Sequence, residues 1–331
     1  LSEAIRADSV VAVTTNGSYI IGNRYVGGIA GENQGGVTLK NCINNGVAAG
    51  YDRYVGGIVG YNDYQATIYD CASYLSDYDN SIFRMIVDTW NAKGDYAGGI
   101  AGYNNGNIIL TKDSEAITVK SVSGIVVGRN YVGGIAGFND VNGELDVHYT
   151  LIGGRIYAYG DCAGGGFGLN ASQKLLSQEL TIKPRSINGR YYVGGCIGAN
   201  VVELTADITM DQFRADNVLG TITGKAFCGG IIGYQRTYTK ADLPGISADG
   251  SIREAVEEMQ NGNTQRLLPG LQAGTNIPQS VKTSGNTYTL TLETADNSSS
   301  SLKTETNNIP IQAGMYAGGI IGYCEKNSKL V

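Results

Sequence analysis

Apolar and polar residues alternate along this chain in short bursts, each closed by glycine or asparagine. The clearest is Val37-Thr38-Leu39-Lys40-Asn41-Cys42, in which apolar Val37 and Leu39 flank polar Thr38. That is the period of a half-buried strand. Thr67-Ile68-Tyr69-Asp70-Cys71 repeats the same register. Val10-Val11-Ala12-Val13-Thr14-Thr15 reads as a β-branched strand, followed by a turn at Asn16-Gly17. A helical repeat needs apolar periodicity over about ten Gly-free residues, and the bursts have none. Helix is expected in two places outside them. Ser2 to Ala7 reads as a short cap, and Ser251-Ile252-Arg253-Glu254 as a capping box opening a helix from Ile252 to about Gln260. Thr287 to Leu292 alternates as a strand, and Asn297 to Ser301 reads as a polar loop.

The bursts are spaced by one phrase, Tyr25-Val26-Gly27-Gly28-Ile29-Ala30-Gly31. It returns at Tyr54 to Gly60, Tyr96 to Gly102, Tyr131 to Gly137, Tyr192 to Gly198, Phe227 to Gly233 and Tyr316 to Gly322, with a degenerate copy from Cys162 to Gly168. From 25 to 227 the copies begin 29, 42, 35, 31, 30 and 35 residues apart. Self-similarity at such periods marks a solenoid, a propeller or an array. After the last Gly comes an aromatic residue in five copies: Tyr61, Tyr103, Phe138, Tyr234 and Tyr323. The next residue is Asn33, Asn62, Asn104, Asn139, Asn170 and Asn200 in six. Coils stacked at the strand spacing of about 4.8 Å would turn both positions into columns. Stacked amides can hydrogen-bond as a ladder, and Asn tolerates the left-handed backbone of a coil corner. The fifth and sixth phrase positions are mostly Ile and Ala, Val or Ile, so a single strand carrying both would be apolar on both faces.

These patterns predict an all-β chain, a parallel β-helix (β-solenoid) of Gly-rich repeats with a small non-repetitive insertion containing a short helix. The repeats occupy 1–233, the insertion or degenerate coils 234–315, and a resumed coil 316–331. A second excursion is expected around Tyr74 to Trp90.

Composition narrows the partners. Gly is abundant at 49 residues, Pro is rare at 5, and charged residues make up 16%, against about 25% in ordinary soluble domains. The net charge of -6 and the absence of a Lys/Arg cluster argue against nucleic acid. No apolar run approaches the ~20 residues of a membrane span. A start at Leu1, without a leader, reads as an excerpt of a larger or processed protein. The six Cys contain no CxxC pair. Cys42 and Cys71 fall at equivalent repeat positions, and a column of small buried hydrophobes is favoured there over a disulfide.

The segment Gly27 to Cys42, with further copies at Gly56 to Cys71 and Gly98 to Leu110, resembles the GLUG repeat of bacterial surface proteins. The resemblance covers about two-thirds of the chain and leaves out the region 234–315. It implies an extracellular parallel β-helix, of the kind found in IgA-specific metallopeptidases and haemagglutinin-like adhesins, where the repeats are accessory to catalysis.

Chemistry is sparse. The lone His148 excludes an HExxH zinc site within this chain, and no GxSxG elbow accompanies it. Gly220 to Lys225 has three residues between its glycines where a phosphate loop needs four. Asp63, Asp70, Asp77, Asp79, Asp88 and Asp95 form a loose acidic neighbourhood where Ca²⁺ or sugar would be sought. No Ca²⁺-loop spacing is present, and neither catalytic, cofactor nor metal-binding residues are assigned. The expectation is a non-enzymatic extracellular stalk or adhesin segment on the bacterial cell surface. Its partners would be other segments of a larger surface protein, identical subunits, or host glycan or protein. Tyr61, Tyr103, Phe138, Tyr234 and Tyr323 are the candidate interaction surface, and the six Asn residues a structural ladder. The alternative is a subunit assembling head to tail, and the less favoured one a carbohydrate-active β-helix enzyme.

Overall fold

The computed structural model describes residues 9–11, 14–73, 95–110, 125–147, 150–152, 155–175, 180–183, 185–203, 208–211, 214–215, 218–237, 281–282, 288–292, 302–307, 311–313 and 315–325. Among them there are strands and turns and no helix. The strands stack in parallel, coil on coil, into a β-solenoid. Both expected helices, Ser2 to Ala7 and Ile252 to Gln260, lie outside the described residues, as do the polar loop at Asn297 to Ser301, the excursion from Tyr74 to Trp90, and His148.

Each phrase builds two strands with a corner between them, where a single strand was expected. Tyr131–Gly133 lies in one sheet and Ala136–Asn139 in another, with Gly134 and Ile135 at the bend. The first of these sheets runs from Thr14–Gly27 through Ile43–Gly56, Tyr96–Gly98, Tyr131–Gly133, Cys162–Gly164, Tyr192–Gly194 and Phe227–Gly229 to Tyr316–Gly318. The second carries eight strands, from Ala30–Asn33 to Ile321–Cys324. Its seven spacings of about 4.8 Å make a stack of about 34 Å. The bend changes what the fifth and sixth positions do. Ile100, Ile135 and Ile231 at the corner, and Ala101, Ala136 and Ile232 just after it, all enter one aliphatic core. Among the described residues, these two positions leave no apolar stripe on the outside.

The alternating bursts form the remaining walls. Ser9–Val11, Thr38–Lys40, Thr67–Tyr69, Asn107–Leu110 and Glu144–Val147 pair in parallel as a third sheet. Leu39, Ile68, Ile108 and Leu145 point from it into the same core. From the middle of the stack onward, strands such as Arg155–Ala158 and Ser186–Asn188 close the other side with Ile156 and Ile187. Parallel strands covered on both faces read as apolar runs, which is why the phrase itself looks uniformly hydrophobic.

Two local expectations change. Asn16-Gly17 is not a turn: it lies within the strand Thr14–Gly27, whose pairing slips between Asn16 and Tyr19. The ladder asparagines do not take left-handed backbone. Among the described residues, the non-Gly residues with positive φ are Tyr25 (54°), Asn41 (52°), Tyr54 (61°), Gln65 (63°) and Asp70 (47°). Asn41 and Asp70 turn the corner just before Cys42 and Cys71.

The 89-position step from Phe227 to Tyr316 does not interrupt the stack. Phe227 pairs with Tyr316, Gly229 with Gly318 and Ile232 with Ile321. The coil before the excursion continues to Gln235 in its strand. Within the excursion Tyr288–Leu292 is a strand, antiparallel to Leu302–Asn307. That second strand joins the solenoid in parallel beside Ile208–Asp211, and Ile311–Ala313 does so beside Thr221–Thr223.

Candidate functional site

The two regular columns are the candidate site. The asparagines at the ninth position end six of the eight strands of the second sheet, and their side chains point into the stack. Asn33 donates through Nδ2 to Asn62 Oδ1 at 2.9 Å, Asn62 to Asn104 at 2.8 Å, and Asn104 to Asn139 at 2.8 Å. Asn139 donates to Asn170 at 2.9 Å and Asn170 to Asn200 at 2.8 Å. Gln235 extends the column, its Oε1 accepting from Asn200 at 2.8 Å and its Nε2 donating to the Val202 carbonyl at 2.9 Å. The second amide proton of several members holds the following turn, as when Asn170 reaches the Ser172 carbonyl at 2.9 Å. Asn139, Asn170 and Asn200 thus tie a coil both to its neighbour and to its own corner, whereas Asn33 and Asn62 reach the Thr67 and Asn107 carbonyls of the next coil at 3.3 and 3.4 Å. All six asparagines are buried, and except for Asn33 Oδ1, which has no partner, their ladder amides bond inside the fold. Gln235 was legible only by position: it stands ninth in the Phe227 copy.

The aromatic residues form a second core. Tyr61 and Tyr103 stack with centroids 4.9 Å apart and planes within 1°, and Tyr103 stacks on Phe138 at 5.3 Å. A parallel column comes from the first phrase position, where Tyr54, Tyr96 and Tyr131 stack at 5.1 and 5.3 Å. The two columns meet edge to face, Tyr96 against Tyr103 at 6.0 Å and 88°, the arrangement aromatic quadrupoles favour. The expected interaction surface is therefore corrected. Tyr61, Tyr103, Phe138 and Tyr234 are buried and Tyr323, on the last coil, is half-buried. The phrase bends at its glycines, which folds both aromatic positions onto each other. The Tyr103 hydroxyl donates to the Asp140 carboxylate, so its polar end is also satisfied inside.

Of the acidic neighbourhood, Asp77, Asp79 and Asp88 lie outside the described residues. Asp95 is occupied: Arg129 donates Nε to Oδ1 at 2.7 Å and Nη2 to Oδ2 at 2.6 Å, and Asn130 adds a third bond at 2.8 Å. Asp70 is buried at its corner, and Asp63 is part-exposed with its N–H bonded to the Asn33 carbonyl at 2.9 Å. Among the described residues no three His, Cys, Asp or Glu side chains are grouped to hold a metal ion. No helix of the described residues is long and apolar enough to cross a membrane. Thr221–Thr223 of the loop-like Gly220 to Lys225 segment is a strand of the solenoid wall.

The cysteines are free thiols, five buried and Cys324 exposed. Cys42 and Cys71 sit on adjacent coils, the Cys42 N–H 3.3 Å from the Cys71 sulfur. Hydrogen bonding from Cys42, then burial, pushes the Cys71 thiol up. Burial raises Cys162 and Cys196 as well, and takes Cys228 up to about 12. Only thiolates react. Treated with a thiol reagent at neutral pH, the native protein should therefore lose one thiol of its six quickly. Peptide mapping should place that label on Cys324. Rapid labelling of Cys162 or Cys196 would show that the core opens far more readily than this packing allows.

The class these features define is a Gly-cornered parallel β-solenoid with an internal amide ladder and a double aromatic column. Searches of family models, curated proteins and solved structures found no match to this chain.

Proposed function

We propose that this chain is a non-enzymatic rod, a stalk segment of a larger bacterial surface protein that works outside the cell. The observation that carries this reading is the inward use of both columns. Amides and rings that would recognise a ligand on a binding surface are consumed in holding coil to coil. What such a column supplies is length and stiffness, because each coil leans only on its neighbours. The resemblance of Gly27 to Cys42 to the GLUG repeat supports the surface location. In an adhesin of this kind, attachment to host glycan or protein would be a separate property, carried by residues beyond the two columns.

Immunogold labelling of intact producing cells tests the proposal. Antibody raised to the folded chain should decorate unpermeabilised cells. Labelling that appears only after permeabilisation would overturn the surface role. The purified chain should also give no saturable signal on a glycan array, and a signal there would replace the stalk by an adhesin.

A further inference from the structure

Two of the six cysteines face each other across one step of the stack. The strand pairing brackets them on both sides. Lys40 lies opposite Tyr69 before the corner and Ile43 opposite Ala72 after it, so Cys42 stands opposite Cys71. Both corners turn the same way, through Asn41 at φ 52° and Asp70 at φ 47°. In-register neighbours on parallel strands lie about 4.8 Å apart, inside the Cα range of about 4.4–6.8 Å that a disulfide spans. The Cys71 sulfur reaches across that gap, 3.3 Å from the Cys42 nitrogen and 3.4 Å from the Leu39 carbonyl oxygen, both on the preceding coil. The two cysteine side chains also hydrogen-bond to each other.

Among the described residues no other two cysteines are placed so. Cys162 stands between Tyr131 and Tyr192, Cys228 between Val193 and Ala317, and Cys324 opposite Gln235. Cys196 sits at a corner, its backbone bonded to Gly166 and Ile231. In the reduced fold Cys42 and Cys71 are 0% and 2% exposed, the small buried side chains expected at that repeat position. Their S–H groups are weak donors set against carbonyls of the same two coils, Lys40 at 3.4 Å for Cys42 and Tyr69 at 3.4 Å for Cys71. Joining the sulfurs therefore gives up little hydrogen bonding.

We propose that Cys42 and Cys71 form a disulfide when the chain folds under oxidising conditions, a covalent staple between two adjacent coils. The oxidant is a small-molecule or protein disulfide. The thiolate of one cysteine attacks it, forming a mixed disulfide and releasing one reagent thiolate. The other cysteine's thiolate then attacks the protein sulfur of that bond, and the reagent leaves as a second thiolate. The two protein sulfurs are oxidised, the reagent disulfide is reduced to two thiols, and the two cysteine protons end on them. Only thiolates attack, and hydrogen bonding and burial hold the Cys71 thiol up in the folded state. The exchange therefore belongs to the open coil, before the corner packs. The staple joins residues 29 positions apart and restricts the unfolded chain, in a stack where each coil otherwise leans only on its neighbours. This inference needs only the fold and is independent of the surface role.

The test holds the reduced protein just below its urea midpoint in mixed oxidised and reduced glutathione, where coils open and reclose without complete refolding. Non-reducing digestion and mass spectrometry should find one main internal cross-link. It should join a Cys42 peptide to a Cys71 peptide and be lighter by two hydrogen atoms than the two thiol peptides together. The stapled protein should unfold at higher urea, its unfolding equilibrium lowered at least about thirtyfold. Dithiothreitol should return the midpoint to that of the reduced protein. Cys42→Ala should give neither the cross-link nor the redox-dependent midpoint, and Cys324→Ser, at an exposed position, should keep both. Cross-links spread over all the cysteines overturn the proposal, as does recovery of Cys42 and Cys71 as free thiols after the treatment. So does a cross-link that leaves the midpoint unchanged. The wild-type peptide map decides the matter even if Cys42→Ala misfolds.

Discussion

Gly133→Ala should cost more than about 3 kcal/mol of folding stability, a larger loss than most single substitutions cause. The reason lies in how the phrase bends. A Cβ on Gly133 would overlap the Ala136 carbonyl oxygen three residues on and lie 2.6 Å from the Gly166 carbonyl of the next coil. Both obstacles are backbone, so no rotamer change relieves them. The equivalent glycines Gly98, Gly164, Gly194 and Gly229 meet the carbonyl of their own sixth position in the same way. Since each coil stabilises only its neighbours, a broken coil in mid-stack should also divide the unfolding. Chemical denaturation followed by circular dichroism should show a lowered midpoint and a second transition. Gly36→Ala is the control. Gly36 has φ +84° with open space around its Cβ, so the cost there is conformational and about 1 kcal/mol. Equal losses at the two positions would refute the steric account of the corner.

Asn139→Asp should be nearly as damaging, by about 3 kcal/mol or more. Asn139 is fully buried, donates to Asn170 Oδ1 at 2.9 Å and accepts from Asn104 at 2.8 Å. A carboxylate of the same shape can still accept from Asn104, but it sets oxygen against oxygen at Asn170. Each lost or unsatisfied buried partner costs about 1–3 kcal/mol, and the buried charge adds desolvation. The sign with pH follows. Burial beside an acceptor raises the folded-state pKa of the new carboxyl above its unfolded value of about 3.9. The protonated acid can donate to Asn170 and restore the rung. The deficit relative to wild type should therefore be smallest below about pH 4 and grow as pH rises towards the folded-state pKa. Thermal melts at several pH values measure this directly, and a deficit independent of pH would mean that the ladder bond at Asn139 contributes little.

These expectations show which parts of the molecule are legible without a structure. The repeat period, the alternation in Val37 to Cys42 and the recurrence of Asn at the ninth position are local facts. They determine a stacked parallel β architecture, because identical residues at one spacing can only superpose when coils lie in register. The position of Gln235 belongs to the same column and can be counted off in the same way. The burial of Tyr61, Tyr103, Phe138 and Tyr234 cannot. An aromatic residue three places after an Ile reads equally well as an outward ring or an inward one. Its direction depends on the bend at Gly134 and Ile135, which turns one apparent strand into two.

The tertiary structure also decided where strain falls. Among the described residues, left-handed backbone outside glycine went to Tyr25, Tyr54, Asn41, Gln65 and Asp70, not to the ladder asparagines. The coils around Phe227 and Tyr316, 89 positions apart, pair directly, which places the resumed phrase against its predecessor. The sequence by itself determined the repeating unit and its stacking, since these rest on periodicity and residue type. Only the folded chain decided which faces close on each other, since this depends on where the backbone turns.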